Sequence, residues 1–447
     1  MSAARALARS PRALEEAAIV ALTHDGEGIA REGKAVFIAG ALPGERVRFE
    51  RVRRHRQHDE GRLIEVLEPA AERVAPRCAH FGVCGGCALQ HLAPEAQLAL
   101  KQTELRDSLE RVARLECPRW LAPIEGPAWG YRRRARLGAK YVAKKGKVVV
   151  GFRERMAPYV ADVIRCEVLG APVDEWPERL AGLIGALDIR QQVPQIEVAV
   201  ADNAVALVFR VLSAPTTADL ERFRAFAACH GARIFLQPGG LQTVEELSAP
   251  ARQPLYYELP QFGVRLAFEP TDFVQINGEV NRALVSRAIE LLDLTPSASV
   301  LDLYCGLGNF TLALARSAGR VVGVEGEAAL VERARHNARG NSIGNAEFHV
   351  ADLSQPIPQG TPWLAARYTH VLLDPPRVGA REMLGTVARL KPVRVVYISC
   401  HPGSLARDLG ALVHEYGFTL EAAGVVNMFP HTAHVESIAV LSGPACR

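Results

Sequence analysis

The stretch "SVLDLYCGLGNF", residues 299–310, decides the fold of the C-terminal part of the chain. Val300, Leu301 and Leu303 form a short apolar run typical of a buried strand, and the run leads into a glycine-rich turn. Strand-like and helical segments then alternate, with "RVVGVEG", "AEFHVADL", "THVLLDPPR" and "VRVVYISC" as the following strands. This alternation predicts β-α-β units and a mostly parallel, doubly wound sheet.

The glycine-rich turn predicts a nucleoside-binding site. Gly306 and Gly308 let the backbone approach a ligand closely, and Glu325, at the end of the next strand, can bind both hydroxyls of a ribose. Thr311 stands where a dinucleotide-binding motif has its third glycine. The pattern therefore favours a nucleoside without pyrophosphate, S-adenosylmethionine, with Asp352 facing the adenine. A Rossmann core whose glycines are purely structural is the alternative.

Two later strands end in reactive side chains. In "LLDPPR", residues 372–377, two prolines restrict the backbone just beyond a strand and so direct Asp374. Arg377 stands where amine-directed methyltransferases have an aromatic ring, which disfavours amine methylation. In "VYISCHPGSL", residues 396–405, a strand ends directly before Cys400. We expect these two side chains at the same edge of the sheet.

A thiol at this edge fits methylation of carbon 5 of a pyrimidine. A thiolate that adds to carbon 6 turns the ring into an enolate, and carbon 5 can then attack a methyl group. A base must afterwards remove the proton on carbon 5. Glu436, in "FPHTAHVES" (residues 429–437), is the candidate base. The alternatives are an inert buried thiol and a solvated glutamate at a strand end.

Positive charge is concentrated in two stretches. The net charge of the 447-residue chain is +4. Residues 46–62 hold seven Arg against three acids, and residues 131–155 hold ten Lys or Arg against one Glu. The two stretches carry +4 and +9, so the remainder carries −9. This asymmetry favours nucleic acid as a partner over a pair of solvated basic strands.

The length of the chain predicts several domains. Residues 14–72 alternate apolar runs with Gly and Pro turns, which predicts a small β-barrel. Residues 73–268 combine a cysteine cluster, the second basic stretch and further strands, and residues 269–447 hold the β-α-β units.

The composition also predicts where the protein is found. No apolar run is long enough to cross a membrane, and nine unevenly spaced cysteines indicate a reducing cytoplasm.

Four motifs resemble those of one family. "DLYCGLGNF", "LLDPPR", "SCHPGSLARD" and "FPHTAHVES" are similar, in order and spacing, to the motifs of the RNA uracil-C5 methyltransferases. "HDGEGIAREGKAVFIAGALPGERV" resembles a TRAM domain, a small OB-like barrel that binds RNA. The resemblance implies a multidomain protein with a TRAM barrel, a central α+β iron–sulfur domain and a C-terminal α/β, Rossmann-like class I methyltransferase domain.

The same resemblance implies roles for individual residues. Cys400 would be the nucleophile and Glu436 the base that takes the carbon 5 proton. The pocket for the cofactor and the target base would be lined by Gln275, Tyr304, Asn309, Glu325, Asp352 and Asp374. One position departs from the family, because His401 stands where relatives commonly have Asn beside the nucleophile.

Four cysteines form a candidate metal site. Cys78, Cys84 and Cys87 have the spacing C-x5-C-x2-C, and Cys166 follows them in "VIRCEVL". Four thiolates suit either zinc or an iron–sulfur cluster, and the spacing alone does not separate the two. The resemblance is to family members that hold a [4Fe-4S] cluster, and it implies that this cluster shapes the central domain.

The resemblance also implies the substrate. A barrel, a cluster domain and a catalytic domain in one chain are similar to the bacterial enzymes that form 5-methyluridine in 23S ribosomal RNA. Transfer RNA methylation, or a non-catalytic RNA-binding role in ribosome assembly, are the alternatives. The target uracil would be single-stranded or flipped out of a helix. No membrane partner and no obligate protein partner are indicated.

Overall fold

A computed structural model describes residues 13–31, 33–247, 253–358 and 360–444. Contacts within it divide the chain into two compact units. One contains the described residues up to Leu98, together with Glu154–Pro158 and His431–His434. The other contains Ala99–Arg153, Tyr159–Pro430 and the residues from Val435 onward. The predicted division into three domains at residues 72 and 268 stays a prediction.

The first unit contains a closed β-barrel. Its strands are β1 (Leu14–Leu22), β2 (Glu27–Ala30), β3 (Val36–Ala39), β4 (Arg46–Arg54) and β5 (Asp59–Glu68). They close in the order β1-β2-β3-β5-β4, with Ile38 and Phe49 buried inside. A side chain at Gly61 would lie 2.9 Å from both, so the packed interior requires glycine there. The predicted small barrel is confirmed.

The chain enters the second unit within helix α1 (Pro94–Ser108). A six-stranded sheet follows in the order β11-β10-β9-β8-β6-β7. Its strands are β6 (Arg134–Val142), β7 (Lys147–Gly151), β8 (Gln195–Val200), β9 (Val205–Arg210), β10 (Ala232–Gln237) and β11 (Glu245–Glu246). The helices of this part are α2 (Trp176–Ala186) and α3 (Thr217–His230), and a hairpin of β12 (Leu255–Leu259) and β13 (Val264–Phe268) comes next.

A seven-stranded sheet forms the rest of the second unit. Its strands are β14 (Ser299–Leu303), β15 (Arg320–Glu325), β16 (Ala346–Val350), β17 (His370–Leu373), β18 (Arg394–Ser399), β19 (Thr419–Val426) and β20 (Glu436–Ser442). Its helices are α4 (Gly278–Leu292), α5 (Thr311–Leu314), α6 (Ala328–Gly340), α7 (Arg381–Leu390) and α8 (Pro402–His414). The strand order is β16-β15-β14-β17-β18-β20-β19.

The first five strands of this order are parallel, which confirms the predicted doubly wound sheet. Strand β20 instead lies antiparallel between β18 and β19. An antiparallel strand begins at the edge where its parallel neighbour ends. The start of β20 therefore lies at the carboxyl edge of the sheet, where open α/β sheets bind ligands. Among the described residues, no helix combines the length and apolar character needed to cross a bilayer.

Candidate active site

Cys400 lies one residue beyond the carboxyl end of β18. The last residue pair in register between β18 and β20 joins Ser399 to Ser437, so Glu436 is the next residue on the neighbouring strand. The thiol is half-buried, and the charge of Glu436 acts on its ionisation. The structure thus places the predicted nucleophile and the predicted base side by side.

Asp374 brings a second carboxyl group to this edge. It follows β17, the strand beside β18, and its N–H donates to the carbonyl of Leu303 at 3.3 Å. Burial raises the pKa of Asp374 to about 7. Burial first, and then the charges of Glu436 and Asp374, raise the pKa of Cys400. The two carboxyl groups therefore oppose ionisation of the thiol at this poorly hydrated edge of the sheet.

Glu436 is the most deeply buried of the three, at 7% exposure. Its Oε2 has no hydrogen-bond partner among the described residues. Burial, and then the charge of Asp374, raise the pKa of Glu436 to about 8, while the charge of Lys101 lowers it. A carboxylate with a raised pKa binds a proton more strongly than one in water. This side chain is therefore suited to accept a proton from carbon.

Lys101 was not predicted from the sequence. It lies on α1 with 1% exposure, and its Nζ donates to Asn427 Oδ1 at 2.8 Å and to the Phe429 carbonyl at 2.9 Å. Lys101, Leu105 and Ser108 recur at helical spacing and are all buried. The sequence signal that could have identified Lys101 is its place on the apolar face of a helix. A buried ammonium group needs a partner for its charge.

His401 begins the helix that follows the nucleophile. It is the N-cap of α8, and its Nδ1 accepts the N–H of Ser404 at 3.1 Å, while Pro402 occupies the first turn. Asn is among the preferred N-cap residues because its side-chain oxygen accepts the same kind of bond. The histidine therefore supplies the kind of acceptor that an Asn would supply at this position, and the turn after Cys400 is capped.

A buried hydrogen-bond network anchors the loop that follows Asp374. Asp408, on α8, is fully buried and accepts the hydroxyl of Tyr397 at 2.6 Å and the N–H of Ala380 at 2.7 Å. These bonds tie the end of the "LLDPPR" loop to β18 and α8. If the loop moved, the buried carboxylate of Asp408 would lose these hydrogen bonds, which is costly. The network therefore holds the loop in one place.

The predicted cofactor turn has the backbone geometry that the sequence indicated. Tyr304, Gly306 and Gly308 all have positive φ, at 67°, 54° and 98°. The N–H of Gly306 donates to one carboxylate oxygen of Glu325 at 3.1 Å, and the N–H of Gly326 donates to the other at 2.7 Å. The carboxylate that the sequence assigns to a ribose therefore lies against the glycine turn, at the carboxyl end of β15.

The next strand end carries Asp352. Its side chain is exposed and accepts both the N–H and the hydroxyl of Ser354, which lower the pKa of Asp352 and keep it ionised. The hydroxyl of Tyr304 donates to the carbonyl of Leu353 at 3.4 Å. Tyr304 therefore bridges the first and third strand ends, where the sequence predicts the cofactor to bind.

Two predicted pocket residues, Asn309 and Gln275, lie near a second amide, Asn281, that the sequence did not indicate. Asn309 and Asn281 exchange hydrogen bonds at 2.9 and 3.0 Å, and the hydroxyl of Tyr257 donates to Asn309 at 2.9 Å. Gln275 is half-buried and lines a cavity together with Asn281 and Tyr257. The amide of Asn309 is thus oriented by protein partners, and its contact with a cofactor stays a prediction.

The four predicted metal ligands fall in both units. Cys78, Cys84 and Cys87 lie in the first unit, half-buried in the irregular segment after β5. The N–H of Gly86 donates to the sulfur of Cys84 at 3.4 Å. Cys166 is buried and belongs to the second unit. The predicted ligands are thus divided between the two units, and the metal site stays a prediction.

Many of the predicted basic side chains are paired with acids. In the barrel, Arg46 and Arg48 bind Glu16 at 2.7 and 2.8 Å. In the second basic stretch, Lys147 binds Asp162 at 2.8 Å. Other pairs join Arg51 to Glu15, Arg133 to Asp202 and Arg136 to Glu197. Local acids therefore compensate much of the charge of both stretches, and nucleic-acid contact through them stays a prediction.

The sheet, the cofactor turn and the thiol beside a carboxyl group are the components of an S-adenosylmethionine-dependent methyltransferase that works through a nucleophile. Comparison with known proteins agrees. Residues 262–443 match the family described as tRNA (Uracil-5-)-methyltransferase. The 23S rRNA (uracil(1939)-C(5))-methyltransferase RlmD of Alkalilimnicola ehrlichii is 52% identical over 438 residues, 98% of both chains.

Two further comparisons cover nearly the whole chain. The protein of the same name from Alcanivorax borkumensis is 48% identical over 98% of both chains. The solved structure of the Pyrococcus abyssi tRNA (uracil-54, C5)-methyltransferase, in complex with S-adenosyl-L-homocysteine, has a TM-score of 0.74. It covers 96% of this chain and 100% of its own at 24% identity, which shows the same fold. By the full-length identities, the chain belongs to the RNA uracil-C5 methyltransferase family.

Proposed function

We propose that this protein methylates carbon 5 of a uridine in 23S ribosomal RNA, with S-adenosylmethionine as the methyl donor. The observation that carries the proposal is the grouping of Cys400, Glu436 and Asp374 at the sheet edge beside the cofactor turn. Relatives at 48–52% identity are named for this reaction at uracil 1939. The equivalent uridine is therefore the proposed target.

A non-catalytic role in ribosome assembly is less well supported by the site. A scaffold needs neither a thiol nor a carboxyl group at this edge. Glu436 is buried with one oxygen unpartnered among the described residues, an arrangement that costs stability. Such a cost is typical of a functional site, where a group is held ready for a substrate.

The first step belongs to Cys400. S-adenosylmethionine, bound at the cofactor turn, supplies an electrophilic methyl group. Cys400, once its proton has passed to solvent, forms a bond from Sγ to carbon 6 of the uracil, and the electrons of the ring double bond move toward carbon 5 and the O4 oxygen. Carbon 5 then forms a bond to the methyl group, whose bond to the donor sulfur breaks.

The second step belongs to Glu436. Its carboxylate accepts the proton of carbon 5, and the electrons of that C–H bond restore the double bond between carbons 5 and 6. The bond from carbon 6 to Cys400 breaks in the same step, and the sulfur leaves as a thiolate. The raised pKa of Glu436 strengthens it as the base for this weak carbon acid.

The uridine must leave any base stack before it can react. Cys400 is half-buried at the carboxyl edge of the sheet, and a thiol cannot reach carbon 6 of a stacked base. Sequence-specific RNA recognition generally uses unstacked bases of loops and bulges. We therefore propose that the target uridine is single-stranded or flipped out when it binds.

The substrate assignment is tested by mapping 5-methyluridine in RNA from cells that lack the gene. We expect mass spectrometry to show loss of the methyl group at the 23S uridine equivalent to 1939. The wild-type gene should restore it, and a gene carrying Cys400→Ala should not. Loss of 5-methyluridine from transfer RNA, with 23S ribosomal RNA unchanged, would contradict the proposed substrate.

We further propose that Cys78, Cys84, Cys87 and Cys166 hold a [4Fe-4S] cluster. Four thiolates are the usual ligand set for such a cluster, and three of the four cysteines lie in one irregular segment after β5. Hydrogen bonds to the ligand sulfurs tune such clusters, and the N–H of Gly86 donates one to the sulfur of Cys84. Uracil methylation by the proposed route transfers no net electrons, so we assign the cluster a structural role.

The cluster is tested by metal analysis of protein purified without oxygen. We expect about four iron and four sulfide per chain, with broad visible absorbance that dithionite bleaches. Cys87→Ser should lose most of the iron, whereas Cys229→Ser, at an exposed cysteine of α3, should keep it. Stoichiometric zinc in place of iron would contradict the cluster and favour the other metal that this ligand set suits.

A further inference from the structure

We propose that Lys101 is a positioning residue for the proton-transfer step, because its buried ammonium group favours the carboxylate form of Glu436, the form that takes the carbon 5 proton. The inference rests on the proposed function, since it takes Glu436 as the base. We assign Lys101 no contact with the reacting carbons. Its effect on the reaction would be exerted through the carboxylate.

The position of Lys101 is set by two hydrogen bonds. Nζ donates to Asn427 Oδ1 at 2.8 Å and to the Phe429 carbonyl at 2.9 Å. Asn427 directly follows Val426, which is the register partner of Glu436 between β19 and β20. Directly opposed residues of antiparallel strands lie about 5 Å apart at their Cα atoms. The ammonium group is thus anchored at the strand end where Glu436 begins β20.

The two hydrogen bonds of Lys101 do not compensate its charge. Both of its hydrogen-bond acceptors are neutral, and its side chain is 1% exposed. A buried ammonium group is stable only when a negative charge compensates it. Burial lowers the pKa of Lys101 to about 8, and the charge of Glu436 acts in the opposite direction. The carboxylate of Glu436 is therefore the group that compensates the lysine.

The other groups near Glu436 act against its ionisation. Asp374, at the end of β17, raises the pKa of Glu436, and Cys400, at the end of β18, becomes a second anion as a thiolate. Lys101, on α1, supplies the opposing positive charge. Without that charge the pKa of Glu436 rises further. A smaller fraction of carboxylate is then available at neutral pH to take the proton.

The test uses Lys101→Met in the full-length protein, because methionine keeps the length of the side chain and removes the charge. Single-turnover experiments with RNA and S-adenosylmethionine separate methyl transfer from resolution of the protein–RNA adduct. We expect resolution at pH 7 to slow about tenfold, the effect of one pKa unit on a base. The acidic limb of its pH profile should move to higher pH, so that raising the pH restores the rate.

Two variants separate the charge from a structural role. Lys101→Arg keeps a positive charge, so the acidic limb of its pH profile should lie at the wild-type pH. This variant also tests the role of the charge if the methionine variant fails to fold. Asn427→Ala removes one hydrogen bond but leaves the ammonium group, so the acidic limb of its pH profile should not move. A Lys101→Met protein slowed equally at every pH, or a Lys101→Arg protein with an alkaline-shifted limb, would overturn the inference.

The base assignment is tested separately in the same assay. If Glu436→Gln resolves its adduct at the wild-type rate, Glu436 is not the base, and the inference on Lys101 falls with it. If Glu436→Gln is trapped at every pH while Lys101→Met behaves like the wild type, the proposed base stands and the lysine has no part in it. The expected pattern is a Glu436→Gln adduct that high pH does not release and a Lys101→Met adduct that it does.

Discussion

Replacement of Cys400 by alanine is expected to abolish methylation while leaving RNA binding intact. Carbon 5 of uracil has no lone pair, so without the Sγ bond at carbon 6 it cannot attack a methyl group. The loss should be on the order of 10⁴-fold or more, as for removal of other catalytic nucleophiles. Transfer of tritiated methyl groups from S-adenosylmethionine to ribosomal RNA, together with a filter-binding assay, measures both quantities.

A matched control distinguishes the nucleophile from a general effect of thiol removal. Cys229 is exposed on α3, away from the seven-stranded sheet, and Cys229→Ala should methylate at the wild-type rate. Because the thiol of Cys400 is half-buried, the alanine variant should also keep its thermal stability to within about 1 kcal/mol. Residual methylation above about one hundredth of the wild-type rate would rule out Cys400 as the essential nucleophile.

Replacement of Glu436 by glutamine is expected to trap the covalent intermediate. Cys400 can still add to carbon 6 and the methyl group can still be transferred, but no carboxylate remains to take the carbon 5 proton. The protein should therefore accumulate as an RNA adduct that survives a denaturing gel. Turnover should fall by at least about 10²-fold, the lower range for loss of a general base.

The adduct has two controls. The double variant Cys400→Ala, Glu436→Gln should form none, because the adduct needs the sulfur. Glu415→Gln, at an exposed position just after α8, should turn over normally. A Glu436→Gln protein that releases methylated RNA at the wild-type rate, with no band of reduced mobility, would show that another group removes the proton.

Much of the catalytic part could be predicted from local sequence. Alternating strands and helices indicated the doubly wound sheet, since each strand is an apolar run that must be covered on both faces. Gly306 and Gly308 indicated the turn because their positive φ is unfavourable for other residues. Cys400 followed from its place after a strand, and the barrel followed from its regular turns. These features depend on residues that are neighbours in sequence.

The orientation of β20 could not be predicted in this way. Its apolar residues fit a parallel or an antiparallel strand equally well, and the choice depends on pairing with β18 and β19. That choice places Glu436 beside Cys400 rather than at the opposite edge. The ion pairs of the basic stretches could not be predicted for a similar reason, because acids outside those stretches, such as Glu16 and Asp162, bind several of the basic side chains.

The sequence by itself determined the class of fold, the cofactor turn and the thiol, because each depends on the types and order of adjacent residues. Only the tertiary structure decided the electrostatics of the site. The ionisation of Glu436 depends on its burial, on Asp374 and on Lys101, whose anchor Asn427 lies 326 residues away in the chain. A pKa is set by the charges and the solvent around a group in space, and those surroundings exist only after the chain has folded.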